Sequence, residues 1–565
     1  MDYCYVENIG LKREKLLKSS TAKKMIYSII KAADEAMEKP CYALKMSDYM
    51  LYFKTGNRRI FETEYFERRS RGTSLMFAYW LTEDEKYLNP LINHIFYICD
   101  EFTWCLPAHC DIHKMSTENI VEFIDLFQAE TARFFAETVM CVGDKLPGYV
   151  LDRMNYEIRR RIFSSIIKGV SYWWENCKMN WATVCGAGCV MALLYFGDES
   201  EKKEYVPRFT NCLDTYLEGI EDDGCCQEGI GYWGYGFGHF VILAQALKKY
   251  SRGEVDYFKN SKVKNLAMYP QRVRLSDSNT VMFSDAREGF SFEMGLVCFL
   301  KSIYNEVALP DLKYGTWHGN IDSVSELLWF DEDYSADELT QETHYFENTA
   351  WYISRRDGYG FAAKGGNNDE PHNHNDIGSF IITVDDTVLI ADPGRGEYRK
   401  ETFLPDIRYT FIQNSSFGHS VPIINGEQQM SGAEFCAKNV RASENSFELD
   451  IENAYKKGLS EKIHRRFDMG NGRIILTDRF EKTEKVTERI ISKKRPEIRA
   501  GELDFGNAKI LFNPEKCSVS IEKDGFLAPN CVDTITIYKI DFALKESEKI
   551  FKLDFIIKGE IENGL

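Results

Sequence analysis

The chain has 565 residues, with 70 Lys or Arg against 87 Asp or Glu, which gives a formal net charge of −17. At roughly 150 residues per domain, this length corresponds to about three or four domain equivalents. An apolar content of 44% provides a large core and excludes a globally disordered chain. No run approaches the ~20 continuous apolar residues of a membrane-spanning helix. An acidic chain without a concentrated Lys/Arg tract is also a poor general binder of nucleic acids or membranes.

The N-terminus and the cysteines predict a cytoplasmic protein. The basic residues near the start are not followed by the apolar segment of a secretory signal. The 16 cysteines lie mostly within apolar runs and do not form the compact framework of a small secreted domain. We expect buried free thiols, including the adjacent Cys225 and Cys226, for which a vicinal disulfide is the alternative.

The hydrophobic periodicity changes near residue 335. Before this point, apolar residues recur at three- and four-residue spacing in many blocks, which predicts helical hairpins packed in a ring. After a polar linker at 331–342, the period shortens to two, with turn residues between β-branched and aromatic runs. The sequence therefore predicts a multidomain α+β protein, with a helical domain at 1–335 and an antiparallel β-sandwich at 336–565.

The run PHNHNDIGSF is conspicuous in a chain with ten histidines. In an extended chain, His372, His374 and Asp376 would face the same side and could hold a metal ion or perform acid–base chemistry. The alternative is a solvated loop with surface histidines. Asp392 ends an apolar strand and His419 precedes another, so two histidines and one carboxylate at strand ends would also suit Zn²⁺. An ordinary turn or loop function is the alternative for these two residues.

A glycine- and aromatic-rich stretch at 222–236 is the second candidate region. Its glycine content is unfavourable in a packed helix, so we expect a loop with an aromatic surface. Aromatic faces stack on sugar rings, and a tyrosine hydroxyl near a cation can transfer protons. The alternative is an aromatic plug inside the helical ring. Asn180 and Trp181, at the start of a predicted helix, form a further polar and aromatic pair, with an N-cap as the alternative for Asn180.

Taken in order, these elements resemble the heparinase II/III-like polysaccharide lyases, which include heparin, heparan, chondroitin, hyaluronan and alginate lyases. The resemblance covers about residues 120–480. Its motifs are NW at 180–181, DGCCQEGIGYWGYG at 223–236, HNHNDIGSF at 372–380, IADPG at 390–394, the His419 segment and HRRFDMGNGRIILTDRF at 464–480. The fold that this resemblance implies is an incomplete (α/α) toroid followed by an antiparallel β-sandwich.

The resemblance implies an enzyme, a carbon–oxygen lyase that acts on polysaccharides or oligosaccharides. It would cleave uronic-acid glycans, such as hyaluronan, chondroitin or heparan, by β-elimination and leave a 4,5-unsaturated uronyl end. By similarity, Asn180 would bind the substrate carboxylate, and His372 would assist its neutralisation or act as base on some epimers. Tyr232 would act first as base and then as acid. Preorganised donors at the carboxylate would supply the larger electrostatic contribution.

The resemblance also assigns a divalent metal, Zn²⁺ with a structural function, to His374, Asp392 and His419. His372 is then left to the substrate, and Asp376 supports the metal ligands. This differs from the spacing argument, in which His372 and Asp376 share one ion with His374.

Six further residues are candidates for catalysis or substrate binding. Tyr235 competes with Tyr232 for the catalytic position, and Tyr409 resembles a sandwich tyrosine of the alginate-active branch. Some relatives have a histidine where this chain has Trp181, so His239 is a candidate replacement, with a packed histidine as the alternative. The six are Tyr235, Tyr409, Glu228, Trp181, Trp233 and His239.

The expected partner is an anionic uronic-acid oligosaccharide, without nucleic acid or membrane, and assembly into a homo-oligomer is left open. The arginines at 58–71, together with Arg395 and Arg399, are candidates for a locally basic cleft, with a solvated charged face as the alternative. Two other activities stay open: a glycoside hydrolase, for which Asp223 and Glu228 would be the carboxyl pair, and an alginate-type oligo-uronate lyase. A non-catalytic carbohydrate-binding protein of the same fold is the third alternative.

Overall fold

The computed structural model describes residues 6–289, 291–315, 323–470, 472–529, 532–545 and 548–557. The chain divides into two compact units. The first unit comprises Met1–Ile220, Gly234–Ala267 and Ser291–Asp337, and the second comprises Glu221–Trp233, Met268–Phe290 and Glu338–Leu565. Two segments that precede residue 335 therefore belong to the second unit, and a boundary at residue 335 stays a prediction.

The part of the chain before residue 330 is helical. Its α-helices are α1 (Ile9–Lys18), α2 (Lys23–Glu38), α3 (Met46–Tyr49), α4 (Leu51–Thr55), α5 (Arg59–Thr82), α6 (Leu88–Cys99), α7 (Thr117–Glu122), α8 (Leu126–Val142), α9 (Gly148–Ile158), α10 (Ser164–Ile167), α11 (Asn180–Phe196), α12 (Glu199–Tyr205), α13 (Asn211–Glu218), α14 (Ile230–Tyr232), α15 (Gly238–Tyr250), α16 (Ser261–Arg272), α17 (Met294–Ile303) and α18 (Ser323–Leu328).

The helices of the first unit form an inner and an outer layer. Helices α5, α8, α11 and α15 form the inner layer, since each packs against the next along the chain. Helices α2 and α6 pack on α5 from outside, and α13 packs on α11. Helix α11 can approach α8 closely because a Cβ at Gly188 would lie only 2.3 Å from the carbonyl oxygen of Ala129. This order of inner and outer helices confirms the predicted (α/α) toroid.

The chain after residue 340 is built from antiparallel strands, with one short helix, α19 (Pro405–Arg408), between them. The strands are β1 (Glu342–Phe346), β2 (Trp351–Arg356), β3 (Tyr359–Lys364), β4 (Asn367–Asn368), β5 (Phe380–Val384), β6 (Thr387–Ile390), β7 (Pro422–Ile424), β8 (Gly432–Cys436), β9 (Lys438–Ser443), β10 (Ser446–Asp450), β11 (Lys462–Gly470), β12 (Arg473–Glu481), β13 (Val486–Ser492), β14 (Glu497–Arg499), β15 (Glu502–Asp504), β16 (Ala508–Leu511), β17 (Cys517–Leu527), β18 (Thr534–Leu544) and β19 (Ile550–Ile557).

The described strands form sheets with the orders β1-β2-β3-β5-β6, β14-β15-β16-β19-β12-β11-β10-β9, β17-β18-β13-β7 and β4-β8. Burial alternates residue by residue along β11, as the period of two predicted. Phe361, Phe467 and Phe542 come from three different sheets and belong to one hydrophobic core. Sheets that share a core in this way confirm the predicted antiparallel sandwich.

The described cysteines are free, as expected from the sequence, and both Cys225 and Cys226 are buried. Of the arginines at 58–71, Arg68 and Arg69 cannot line a basic cleft, because both are buried and bind the carboxylate of Glu101 at 3.1 and 2.7 Å. Among the described residues, no helix is both long enough and apolar enough to cross a membrane.

Glu370, just before the histidine run, is a buried carboxylate. Its nearest cation is the Lys364 ammonium at 3.9 Å, and that ammonium bonds Asp376 at 2.8 Å. Burial raises the pKa of Glu370 from 4.5 to about 7. Between these values the folded chain holds a proton that the unfolded chain has lost. This side chain therefore makes the protein less stable as pH rises from about 4.5 to about 7.

Glu370→Gln is consequently expected to stabilise the protein at pH 8, by up to about 3 kcal/mol, and to have little effect at pH 4. The amide stays neutral at both values, so it avoids the cost of burying a charge. Thermal unfolding at the two pH values checks this expectation. The exposed Glu427, changed to Gln, is the matched control and should keep the wild-type Tm. An equal effect of Glu370→Gln at both pH values would contradict the assignment.

Candidate active site and metal site

The histidine run lies in a loop of turns, and not at the start of a strand. Strand β5 begins only at Phe380, and His372 has a φ of +57°, in the left-handed region. Alternate residues of such a chain do not face the same side. The expectation that His372, His374 and Asp376 converge on one ion is therefore wrong, since it assumed an extended chain.

Asp285, which the sequence analysis did not select, binds both histidines of the run. Its Oδ2 lies 2.7 Å from Nδ1 of His372, and its Oδ1 lies 3.1 Å from Nε2 of His374. Oδ2 also accepts hydrogen bonds from the Tyr398 hydroxyl at 2.8 Å and from Arg408 at 3.2 Å. Burial favours a raised pKa, but these donors hold the pKa of Asp285 well below its usual range. Because an ionised carboxylate only accepts, both neutral histidines donate their N–H to it.

Tyr232 lies against the face of His372. The two ring centroids are 4.4 Å apart, with an interplanar angle of 29°. The Tyr232 hydroxyl is 3.0 Å from the hydroxyl of Tyr398, which in turn donates to Asp285. Burial, and then the charge of Asp285, raise the pKa of Tyr232 above its usual range. The phenol is therefore protonated at neutral pH, which is the state that a proton donor needs.

Arg395 brings a cation to the tyrosine pair. Its guanidinium carbon lies 4.6 Å from the centroid of the Tyr398 ring, and its charge opposes the rise in the pKa of Tyr232. Its Nε has no hydrogen-bond partner among the described residues. Arg399, by contrast, is paired with Glu397. Of the basic residues selected from the sequence, Arg395 thus lies beside the candidate site.

The two carboxylates of the hydrolase alternative have different surroundings. Burial raises the pKa of Glu228, and His372 opposes this rise. Both oxygens of Asp223 accept backbone N–H groups, from Cys225 at 3.0 Å and from Asn348 at 3.1 Å. Asp223 therefore shapes its loop, which weakens the case for an acid–base pair of carboxylates.

His374, Asp392 and His419 are buried, and each brings one ligand atom within 4.8 Å of the others. Nδ1 of His374 and Nε2 of His419 are 3.2 Å apart. Oδ2 of Asp392 is 3.6 Å from Nε2 of His419 and has no hydrogen-bond partner among the described residues. His372 is not part of this group.

The other hydrogen bonds of the two imidazoles leave their lone pairs facing each other. His374 donates from Nε2 to Asp285, and His419 donates from Nδ1 to the carbonyl oxygen of Ser415 at 2.9 Å. Nδ1 of His374 and Nε2 of His419 are then bare nitrogens beside an anionic oxygen. Such nitrogens repel each other unless a cation lies between them, so the residues present fit a divalent metal ion.

A proton is the alternative cation in this gap. Burial lowers the pKa of His419, but the Asp392 carboxylate outweighs this effect and raises it above its ordinary value. Asp376 lies beside the group, with Oδ2 3.9 Å from Nε2 of His419 and Oδ1 bonded to Lys364.

Asn180 and Trp181 belong to the first unit. Asn180 is the buried first residue of α11, whose N-cap is Met179, so the N-cap interpretation of Asn180 is wrong. The Trp181 ring lies 4.8 Å from the rings of both His109 and Trp173. Trp173 was not a candidate from the sequence. Because it is 56% exposed, the aromatic cluster that it forms with Trp181 and His109 reaches the surface of the first unit.

The glycine-rich stretch is a loop only up to Gly229. Helix α14 follows, and a π-helical turn at Trp233–Phe237 continues into α15. Glycine at 236 permits close packing, because a Cβ there would lie 3.2 Å from both the Cβ of Asn180 and the hydroxyl of Tyr216. The predicted loop over the whole of 222–236 is therefore wrong.

The other candidates of this stretch are packed against protein. The Tyr235 hydroxyl donates to Glu130, and its ring centroid is 5.1 Å from that of His239. His239 is buried and donates from Nδ1 to the carbonyl oxygen of Tyr235 at 2.7 Å. Trp233 is fully buried, so its indole cannot be a stacking surface for a sugar.

Tyr409 belongs to the surroundings of the histidine run. Its hydroxyl donates to Oδ1 of Asn373 at 2.8 Å, between the two histidines in sequence. Its neighbour Arg408 binds both Asp285 and the carbonyl oxygen of Asn373. The last residue of short helix α19 and the residue that follows it, Arg408 and Tyr409, thus hold the loop of His372.

Comparison with known proteins identifies the fold. No protein-family model matches the chain, and no curated protein matches it. A heparinase III structure aligns with a TM-score of 0.62 at 13% identity, over 94% of this chain and 83% of that chain. Heparan sulfate lyase HepC from Pedobacter heparinus aligns with a TM-score of 0.57 at 12% identity, over 98% and 92%. A chondroitin AC lyase from Streptomyces coelicolor A3, in complex with chondroitin sulphate, gives 0.56 at 9%, over 99% and 83%. These similarities confirm the resemblance at the level of the fold.

Proposed function

We propose that the protein is a lyase that cleaves uronic-acid polysaccharides or oligosaccharides by β-elimination. The observation that carries this proposal is the contact between Tyr232 and His372, with both side chains linked to Asp285. The pair offers two proton-transfer groups side by side. The proteins with the same fold are named as heparan and chondroitin lyases, which makes an anionic uronate the substrate class of choice.

The chemistry needs a base at C5 of the uronate and an acid at the leaving O4. Nδ1 of His372 is committed to Asp285, so Nε2 of the neutral ring carries the lone pair and is the proposed base. The C5–H bond breaks towards this nitrogen, its electrons form the C4=C5 double bond, and the C4–O4 bond breaks. O4 then takes the proton of Tyr232, whose raised pKa keeps it protonated until that moment.

The assignment of His372 as base and Tyr232 as acid differs from what the resemblance implies. There, Tyr232 would act as base as well as acid, and His372 as base on some epimers. As the base, Tyr232 would have to be a phenolate before the reaction starts, and burial and the charge of Asp285 make that state costly. As the acid, it becomes a phenolate only after His372, 4.4 Å away between ring centroids, has taken the C5 proton and become a cation, so we favour His372 as the base. Tyr232 as the sole acid and base is the alternative for substrates whose C5 proton lies on the other face.

The carboxylate of the substrate must be neutralised for the C5 proton to become acidic. Asn180 is the donor that the resemblance implies, and this role rests on the resemblance. Arg395 is a second candidate, because it is a cation near Tyr232 with a free Nε donor. A guanidinium matches a carboxylate in geometry and charge.

We further propose that the metal is Zn²⁺, held by His374, Asp392 and His419. Two imidazole nitrogens and one carboxylate oxygen are ligands that Zn²⁺ prefers. The bound ion would supply positive charge and tie together three separate segments of the second unit. A cytoplasmic location, with oligosaccharides as the substrates, is part of the proposal and is supported by the buried free thiols.

An oligo-alginate lyase is the second candidate. Tyr409 resembles a tyrosine of the alginate-active branch, and its hydrogen bond to Asn373 anchors it on the loop of His372. The hydrolase alternative has less support, because Asp223 is bonded to backbone N–H groups through both oxygens.

The test is a panel of hyaluronan, chondroitin, heparan and alginate oligomers with zinc-loaded protein. A lyase produces ultraviolet absorbance from the conjugated double bond, in step with new reducing ends. A hydrolase produces reducing ends without this absorbance. His372→Ala should abolish the absorbance increase while the far-ultraviolet circular dichroism stays unchanged. No absorbance increase with any oligomer would refute the lyase proposal.

A further inference from the structure

One carboxylate connects two groups of the second unit that have separate functions in the proposal. Asp285 is almost fully buried, and it lies in none of the sequence motifs that supply the other residues. Through Oδ1 it binds His374, a proposed metal ligand, and through Oδ2 it binds His372, the proposed base. The two histidines do not bond each other. Asp285 is therefore the side chain that links the metal group to His372 by hydrogen bonds.

We propose that Asp285 is a positioning residue that couples the metal group to His372, so that metal binding at His374 helps to orient the base. The catalytic half of this inference rests on the proposed function. The metal half does not, because it concerns only the bond between Asp285 and a metal ligand.

His374 is the end of this connection on the side of the metal. To present Nδ1 to a metal, its ring must carry the proton on Nε2 and must not turn over. The bond from Nε2 to Oδ1 of Asp285 favours this arrangement. Loss of the carboxylate would leave the ring without its described partner on that side and should weaken metal binding. A ligand histidine that is fixed by a carboxylate in this way gains affinity for the metal.

The carboxylate of Asp285 is held through both of its oxygens. Oδ2 accepts from His372, Tyr398 and Arg408, while Oδ1 accepts from His374. Since both oxygens are used, the carboxylate cannot rotate to suit one histidine without losing the other. A change in the position of His374 is therefore passed to His372 by a rigid group.

His372 is the end of this connection on the side of the substrate. Its side chain is only 16% exposed, and its ring is held by Asp285 on one edge and by Tyr232 on one face. The bond to Asp285 fixes the proton on Nδ1 and leaves Nε2 available for the substrate. A shift of the carboxylate would turn the ring or change its tautomer, which lowers kcat and has little effect on substrate binding.

The decisive variant is Asp285→Asn, which keeps the shape but replaces one acceptor oxygen by a donor. We expect the Kd for Zn²⁺, measured by competition with a coloured chelator, to rise by about 10–100-fold. We also expect kcat to fall by roughly 10²–10⁴-fold, with KM within about threefold, because the wrong tautomer of His372 is favoured. Asp285→Glu, which restores the carboxylate, should recover part of both losses.

A double cycle then tests the coupling itself. The metal is removed from the wild type and from Asp285→Asn, with circular dichroism to check that both remain folded. If Asp285 transmits the effect, removal should lower kcat by about 10–100-fold in the wild type and by less than about threefold in the variant. Equal losses in the two proteins would overturn the inference.

Asp450→Asn is the matched control. Asp450 is also buried and binds a histidine, with Oδ1 2.7 Å from Nδ1 of His464, but it touches neither the metal group nor His372. Its variant should keep the wild-type Kd for Zn²⁺ and the wild-type kcat within about twofold. This control separates the loss of a buried histidine–carboxylate pair in general from the loss of Asp285.

The outcomes separate this inference from the proposed function. Zinc binding by Asp285→Asn as tight as in the wild type overturns the inference, whatever the activity. If the wild type turns over no uronate, the proposed function and the catalytic half fail together. A weakened affinity of Asp285→Asn for Zn²⁺ would in that case still support the metal half.

Discussion

Tyr232→Phe is expected to lower kcat for uronate cleavage by about 10²–10⁴-fold, with KM within about threefold. The phenylalanine ring keeps the contact with His372, so substrate binding and ring packing are retained. Only the hydroxyl is lost, and with it the proton for O4 and the hydrogen bond to Tyr398. Steady-state kinetics on the best oligomer of the panel measure both constants. The Tm and the zinc content should match those of the wild type.

Tyr235→Phe is the matched comparison for this prediction. Its hydroxyl donates to Glu130 in the first unit, so we expect kcat to change by less than about threefold. A large loss in Tyr235→Phe together with a small one in Tyr232→Phe would transfer the acid role to Tyr235. Equal losses in both would indicate damage to the helical turn that carries them.

His419→Ala is expected to abolish zinc binding and to lower the Tm substantially. His419 is fully buried. Its removal leaves the metal ion with two ligands, His374 and Asp392, and creates a cavity beside them. With free Zn²⁺ at about a thousand times its Kd, binding stabilises the wild type by roughly 4 kcal/mol. For unfolding of the second unit, at about 2 °C per kcal/mol, this corresponds to a decrease of roughly 8 °C. Thermal unfolding with and without chelator, together with metal analysis, measures both effects.

His464→Ala is the control for this second prediction. His464 lies on β11, binds Asp450 and is outside the metal group. It should keep one zinc per chain and a Tm that still responds to the chelator. If the chelator leaves the wild-type Tm unchanged, a proton and not a metal fills the gap between His374 and His419.

The fold could be predicted from the sequence because two periodicities occupy separate parts of the chain. Helical spacing before residue 335 and alternation after it are local signals. In the structure, the predicted block at 181–196 is helix α11, and burial alternates along β11. The prediction of a loop is wrong for 230–236, because glycine is unfavourable in an isolated helix but this segment is helical. There, tertiary packing overrides the propensity, since Gly236 permits contact with Asn180.

The site could be predicted only in part, because some of its residues are far apart along the chain. His372 and His374 share one motif, so their proximity is visible in the sequence. Asp285 is 87 residues from His372, and Tyr398 is 113 residues from Asp285, without a periodic pattern around either residue. A single aspartate after an apolar run does not indicate which residues it will contact in the folded chain. The metal group of His374, Asp392 and His419 came from the resemblance, because the spacing argument assumed an extended chain that the turns of this loop exclude.

The left-handed backbone of His372 has a consequence for the evolution of this chain. A non-glycine residue in this region costs roughly 1 kcal/mol or more, which glycine would avoid and asparagine would reduce. Selection for stability alone would therefore favour replacing the proposed base, whereas selection for turnover would retain it. Among homologues, glycine or asparagine at this position would mark lineages that kept the fold and abandoned the chemistry. The torsion angle of one residue thus provides a criterion for separating active members from inactive ones by sequence.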